Sequence, residues 1–125
     1  ASGSPFPAYT HTDGKVLIPS QCNNMYVFPG LGLGAYLCGV IKITDSMLYA
    51  AAVACTESMT DDEIAEGRTF PSLRRIRVVS HAVACAVIEC AFKEGTEREI
   101  LKEGSLGAYV SKKMYFPTYV PLVRG

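Results

Sequence analysis

The sequence has no surplus of either charge: 12 Lys and Arg stand against 12 Asp and Glu, and the basic residues form no long block. Nucleic acid and anionic membrane surfaces are recognised by a concentrated positive field, so neither fits as a partner. No apolar run approaches the roughly 18 residues that cross a bilayer, and the opening "ASGSPFPAYT" lacks the basic and apolar regions of a secretory leader. C-x-x-C spacing is also missing. The five cysteines, at 22, 38, 55, 85 and 90, are odd in number, and three lie in apolar helical contexts where a thiol acts as a small hydrophobe. Reduced thiols in an intracellular compartment fit this pattern better than a disulfide framework. Cytosol, mitochondrion and plastid are not told apart by it. There is no internal repeat, no low-complexity tract and no initiator Met.

What is present is a 125-residue chain of 49% apolar composition, enough for one domain with a buried core. Its first 20 residues are turn-rich, with Gly3, Pro5, Pro7, Asp13-Gly14 and Pro19 leaving room for short extended pieces such as Lys15–Ile18. A first helix is predicted to start near Pro29, where a missing N–H costs nothing, and to run through "LGLGAYLCGVIK". It is apolar nearly all round, which predicts burial. Asp45 can cap a second helix, "SMLYAAAVACTES". Thr60 with Glu63 makes a capping box for a short third helix that Gly67 can end. A longer helix is predicted over Leu73–Lys93, with Ile76, Val79, Val83, Val87 and Cys90 at helical spacing and Gly95 as terminator. The tail holds one helical turn or two before Phe116-Pro117, then an extended arm. At least three helices with one or two short strands make a lopsided independent domain, and the expectation is a piece of a larger protein.

Several short patterns suggest chemistry. "GLGLGA" (30–35) satisfies the loose G-x-G-x-x-G/A dinucleotide pattern, but that motif works only directly after a strand, and Pro29 stands there instead. The competing expectation is that Gly30 and Gly34 share a helical face that packs closely against another element. His81, Cys85 and Glu89 fall on one helical face, yet a closed zinc site needs four ligands and no second pair is visible. Cys22 with His11 and Asp13 nearby suggests a thiol nucleophile only if geometry unites them. Arg68, Arg74, Arg75 and Arg77 form a basic cluster, expected to be a solvated or interface face rather than an anion site. Asn23-Asn24, in a loop before a helix start, offers neutral donors that could hold a carboxylate, a carbonyl or the amide edge of a nicotinamide. An Asx turn or helix cap is the alternative. In "SGSPF" (2–6) small residues let backbone approach a ligand.

"ASGSPF" at 1–6, "NNMYVFPGLGLG" at 23–34, "EGRTFPSL" at 66–73 with "IRVVSHAVACAVIECAFKEG" at 76–95, and "MYFPTYVPLV" at 114–123 resemble, in order, successive parts of the malic enzymes. That family oxidises L-malate with NAD+ or NADP+ and decarboxylates the product to pyruvate and CO2, using Mg2+ or Mn2+. The resemblance implies an α/β chain: the C-terminal portion of a Rossmann-type NAD(P)-binding domain, helix-rich, with one or two short strands and an extended tail. Residues 1–95 would belong to the nucleotide-binding domain and 96–125 to a C-terminal helix and tail. It implies Asn23 and Asn24 as substrate-binding residues, with Asn24 the direct contact, and Gly3, Ser4 and Asn24 beside the cofactor.

The family's catalytic tyrosine and lysine, metal-binding carboxylates, phosphate loop and substrate arginine lie upstream of anything matched here. The chain alone is therefore expected to hold neither catalytic nor metal-binding residues and to be inactive. Its partners would be malate and pyruvate, the rest of the enzyme chain, and further copies in a homo-oligomer joined through exposed apolar patches. The family loop usually carries glycine where Ser20 and Cys22 stand, so "PSQCNN" is a stiffer version. A rival reading is a non-enzymatic helical module that binds a protein through Tyr115–Val123.

Overall fold

Turn chemistry shapes the amino-terminal part of the computed structural model, which describes residues 2–98 and 104–119. Strand β1 (Tyr9–Thr10) pairs antiparallel with β2 (Val16–Leu17), Tyr9 opposite Leu17 and Thr10 opposite Val16. The Asp13-Gly14 pair turns the chain between them: Gly14 has φ 85, and the Asp13 carboxylate accepts the Lys15 amide at 2.9 Å. The sequence marks the second strand; the first is too short for alternation to show and follows Pro5 and Pro7 closely. A separate single bridge pairs Ser2 with Gln21 in parallel.

Among the described residues, five α-helices come after this hairpin. Helix α1 (Phe28–Cys38) has Pro29 in its first turn and stops at Gly39, whose φ of 64 is left-handed. The predicted continuation to Lys42 therefore fails, because a left-handed glycine closes the last turn onto the Ala35 and Tyr36 carbonyls. Helix α2 (Asp45–Glu57) is capped by Thr44, whose hydroxyl accepts the Met47 amide, and not by Asp45. Thr44 has the extended backbone a cap requires. Asp45 enters the first turn, where its charge meets the positive end of the helix. Helix α3 (Asp61–Ala65) carries the predicted capping box: the Thr60 hydroxyl accepts the Glu63 amide, and the Glu63 carboxylate accepts the Thr60 amide at 3.0 Å. Helix α4 (Ile76–Glu94) begins three residues later than the periodicity suggests, since Leu73–Arg75 form a 3-10 turn; Gly95 ends it as predicted. Helix α5 (Leu106–Lys113) is capped by Ser105. Residues 115–119 have no regular structure, and the remainder of the predicted arm lies outside the described residues.

Helix α4 is the centre. Val79, Val83, Ala84, Val87, Ile88 and Ala91 are fully buried, with α1 and α2 packed along it and Val110 of α5 completing the cluster. Each buried aliphatic side chain of this size contributes about 1.5–3 kcal/mol relative to exposure. On α2, Met47 and Ala51 are fully buried, so the small alanines do bring that helix close. Helix α1 is not buried all round. Gly30, Gly34, Leu37 and Cys38 face inward, while Phe28 is exposed and Tyr36 is 80% exposed. Only one side of α1 meets α4 among the described residues, so its outer apolar face has nothing to cover it.

The glycines set that contact. A Cβ on Gly30 would lie 2.5 Å from the Ser80 carbonyl oxygen and 2.6 Å from Val83 Cβ. One on Gly34 would lie 2.8 Å from the Ala84 carbonyl oxygen. The two helices meet backbone to side-chain stem, as the close-packing reading of Gly30 and Gly34 anticipates. Alanine favours helix over glycine by roughly 1 kcal/mol, but overpacking costs about 1–3 kcal/mol, and backbone cannot move aside. Gly30→Ala should therefore lower stability by about 1–2 kcal/mol in urea unfolding. Gly32→Ala, exposed and with nothing within 4 Å of its added carbon, should raise stability by about 0.5–1 kcal/mol.

Candidate functional site: a loop of amides beside a parallel bridge

The Ser2 amide donates to the Ser20 carbonyl at 3.0 Å, and the Cys22 amide donates to the Ser2 carbonyl at 2.6 Å. Gln21 adds a side-chain bond, its Nε2 donating to the Gly3 carbonyl at 3.0 Å. Two segments thus run in the same direction, and both leave the bridge on the same side. One continues into Gly3-Ser4 and the other into Asn23-Asn24. The contacts across the bridge reach Gly3, against Gln21 and Cys22, and the two segments diverge from there toward Ser4 and Asn23-Asn24. Gly3 has no positive φ, and an added Cβ would meet only the Cys22 carbonyl oxygen at 3.8 Å, an ordinary contact. Nothing among the described residues requires a glycine there. Close approach by a ligand's flat or anionic edge is a use such a bare backbone suits.

The two asparagines do different things. Asn23 has extended backbone, and its Oδ1 accepts the Met25 amide at 3.0 Å, capping a 3-10 turn over Asn24–Tyr26. The cap alternative is therefore the one Asn23 takes. Asn24 is exposed, and its side-chain amide has no hydrogen-bond partner among the described residues. Directly after it the chain is anchored. Tyr26 is only 2% exposed, its hydroxyl donates to the Pro71 carbonyl at 2.6 Å, and its ring stacks on Phe70 at 5.5 Å between centroids. Burial, aided by Cys55 and Glu63 and opposed by Arg68, raises the Tyr26 pKa above 10.0, so the phenol stays a donor at neutral pH.

Sequence reasoning missed the anchor at the other end. Ser20 is 7% exposed, and its Oγ accepts the amides of Thr69 at 2.8 Å and Phe70 at 3.3 Å. The loop carrying the asparagines is thus tied at both ends to residues 69–71. That stretch is held in turn by Glu63, whose Oε1 accepts the Ser72 amide at 2.8 Å and whose Oε2 accepts Arg75 Nη1 at 2.9 Å. Arg75 also donates to the Ser58 carbonyl at 2.8 Å. The signal that could have found the network is a polar residue, Glu63, serving both as capping partner and as anchor. The capping box alone accounts for only part of its bonding.

The remaining sequence candidates fall elsewhere. His11 and Asp13 pair with each other at 3.0 Å in the hairpin turn. His81 Nε2 bonds the Gly107 carbonyl at 2.8 Å, tying α4 to α5. Arg68 pairs with Glu66, Arg75 with Glu63, and Arg77 donates to the Tyr115 carbonyl and lies 4.9 Å over the Phe116 ring. Most of the basic cluster is bound into the protein. The cysteines are all free thiols. Burial raises the pKa of Cys38, Cys55, Cys85 and Cys90 above 9.0, leaving them protonated. Among the described residues no group of three His, Cys, Asp or Glu could hold a metal ion. Among those same residues no helix is long and apolar enough to cross a membrane. A cleft of 670 Å³ between α2 and α4 is lined by Tyr49, Val53, Ala86 and Cys90 and does not touch the asparagines; a 260 Å³ hollow lies against Ser20, Gln21 and Arg68.

A parallel bridge with small residues and amides beyond its carboxyl end, backed by helices, is an arrangement found in dinucleotide-binding α/β domains, where ligands sit beyond the carboxyl ends of the strands. The family described as "Malic enzyme, NAD binding domain" matches residues 1–92. The chain is 40% identical over 119 residues to an NADP-dependent malic enzyme of Dictyostelium discoideum, covering 95% of this chain and 22% of that protein. It is 38% identical over 134 residues to NAD-dependent malic enzyme 2, mitochondrial, of Arabidopsis thaliana, covering 98% and 22%. To the NADP-dependent malic enzyme, chloroplastic, of Zea mays it is 39% identical, covering 95% and 19%. The chain belongs to the malic enzyme family. It spans about a fifth of the length of these relatives.

Glu63 gives the anchoring network a pH signature. Burial works to raise its pKa, but the Thr60 and Ser72 amides and the Arg75 guanidinium outweigh burial and hold the carboxyl below 4.5. A carboxylate with a pKa lower in the folded than in the unfolded state contributes stability above its unfolded value, and loses it as pH falls through the folded value. Glu63→Gln should thus cost about 1–3 kcal/mol at pH 7. The difference from the parent protein should shrink below about pH 4, measured by urea unfolding at both pH values.

Proposed function

We propose that these residues form part of the NAD(P)-binding domain of an enzyme that oxidatively decarboxylates L-malate to pyruvate and CO2 while reducing NAD+ or NADP+. The observation that carries this reading is the match of residues 1–92 to the malic enzyme NAD-binding domain, and the parallel pairing of Ser2 with Gln21, from which Gly3-Ser4 and Asn23-Asn24 lead on in the same direction, is in keeping with it. Asn24 offers its free amide to a malate carboxylate or hydroxyl, and to the carboxamide edge of the nicotinamide. Asn23 shapes the turn that presents it, with its own NH2 group left as a donor toward substrate. Gly3 and Ser4 border the cofactor.

The chain's share of the reaction is binding and orientation. Hydride removal and decarboxylation need a base, an acid and a cation at one carbon skeleton. The side chains gathered at this loop are neutral amides and a hydroxyl, which position substrate without moving protons. Mg2+ or Mn2+ would be held by residues outside the chain. The catalytic residues would likewise come from the rest of the enzyme. Residues 1–95 act as part of the nucleotide-binding domain and 96–125 as a terminal helix and tail; the family match ending at residue 92 is in keeping with that division. The exposed Phe28, Tyr36 and Tyr49 supply surface for the rest of the polypeptide and for a homo-oligomer in an intracellular compartment.

In the complete enzyme, Asn24→Ala should raise the malate KM roughly 10- to 100-fold, the worth of one hydrogen bond to a charged group. Unchanged malate kinetics would remove Asn24 from the substrate site. The 125 residues by themselves should yield no NAD(P)H from malate in a spectrophotometric assay with Mg2+ or Mn2+. Turnover by the isolated chain would overturn the division of labour. In that case, or if the chain instead captures a protein through the exposed Tyr115 and Tyr119, its role is other than the one proposed.

A further inference from the structure

We infer that Ser20 is a positioning residue for the substrate amide, acting through Asn24 and not by touching malate itself; this rests on the assignment of Asn24 to the substrate site. Three backbone segments meet at this one buried residue. Its carbonyl receives the Ser2 amide at 3.0 Å, fixing the segment that ends in Gly3-Ser4. Its own chain leads four residues on to Asn24. Its hydroxyl receives the Thr69 and Phe70 amides at 2.8 and 3.3 Å, fixing the loop to the same stretch whose Pro71 carbonyl holds Tyr26. The asparagine pair therefore lies between two clamps on one rigid backing, Ser20 before it and Tyr26 after it.

The hydroxyl is the part of Ser20 that only a side chain can supply. With glycine, as the family resemblance has it at this position, the carbonyl bond to Ser2 survives and the clamp to residues 69–70 does not. Thr69 is exposed and Phe70 borders an open hollow, so their amides can turn to water and the fold survives the loss. What is lost is one of the two constraints on where Asn24 points. Misplacement by about 1 Å can cost as much as 100-fold in rate. Loss of one neutral clamp with the Tyr26 anchor intact is a smaller disturbance.

The test uses the complete enzyme carrying Ser20→Ala, Asn24→Ala and the pair together. Ser20→Ala should raise the malate KM about fivefold to tenfold, with kcat and the nucleotide KM within about twofold of the parent. The double variant should be no worse than Asn24→Ala alone, because the clamp acts only through that amide. If Asn24→Ala raises the malate KM and Ser20→Ala does not, the inference fails while the substrate assignment stands. If Asn24→Ala itself has no effect, the substrate assignment fails first, and this inference with it. Full additivity in the double variant also overturns it, since Ser20 would then act elsewhere. Should Ser20→Ala not fold, Ser20→Gly takes its place, with the same expected result.

Discussion

The approach of α1 to α4 through Gly30 and Gly34 is the contact on which the rest of the arrangement depends. Helix α1 begins where the asparagine loop ends, so the depth at which it settles on α4 fixes where that loop emerges. Side chains at the two glycine positions would hold the helices apart by the width of a methyl group. Directly before α1, the Tyr26 hydroxyl reaches the Pro71 carbonyl at 2.6 Å. A feature that looks like a nucleotide-binding fingerprint serves as a packing device.

A second set of contacts passes from helix ends to the site by way of polar groups. Glu63 caps α3, holds Arg75 at the entrance to α4 and receives the Ser72 amide. It thereby stiffens the 69–71 stretch on which both Ser20 and Tyr26 rest. A buried carboxylate is expensive unless its oxygens are satisfied, and here Oε1 has one donor and Oε2 two. The charge in this part of the molecule is used for support. The asparagine loop that this support holds carries uncharged amides, Asn24 exposed among them.

Local signals are legible where one residue and its near neighbours decide the outcome. The Thr60–Glu63 capping box, the terminators Gly67 and Gly95 and the span of α4 follow from spacing and capping chemistry within a few residues. Expectation and structure part where two neighbours can play the same role. Thr44 and Asp45 are both good caps, and the backbone of Thr44 decides between them. Spacing makes the first helix too long because Gly39 in an apolar run looks like another helical residue until its left-handed φ is seen. In the site, the asparagines are visible as a pair, but their division into a cap and a free amide depends on which one accepts the Met25 amide.

By itself, the sequence determined the existence and order of the main helices, the Thr60–Glu63 capping box and the family, because these rest on short-range periodicity and on four segments kept in order. Tertiary structure alone decided what Ser20 and Tyr26 do. Their partners lie 49 and 45 residues away in the chain, at Thr69 and Pro71. A hydroxyl's meaning lies in the amide it meets, and no local pattern in the neighbourhood of Ser20 says that the Thr69 and Phe70 amides will be there. Folding brings the two stretches together because Gly30 and Gly34 let α1 lie down on α4, and it is that approach which turns an ordinary serine into a clamp on the loop that aims Asn24.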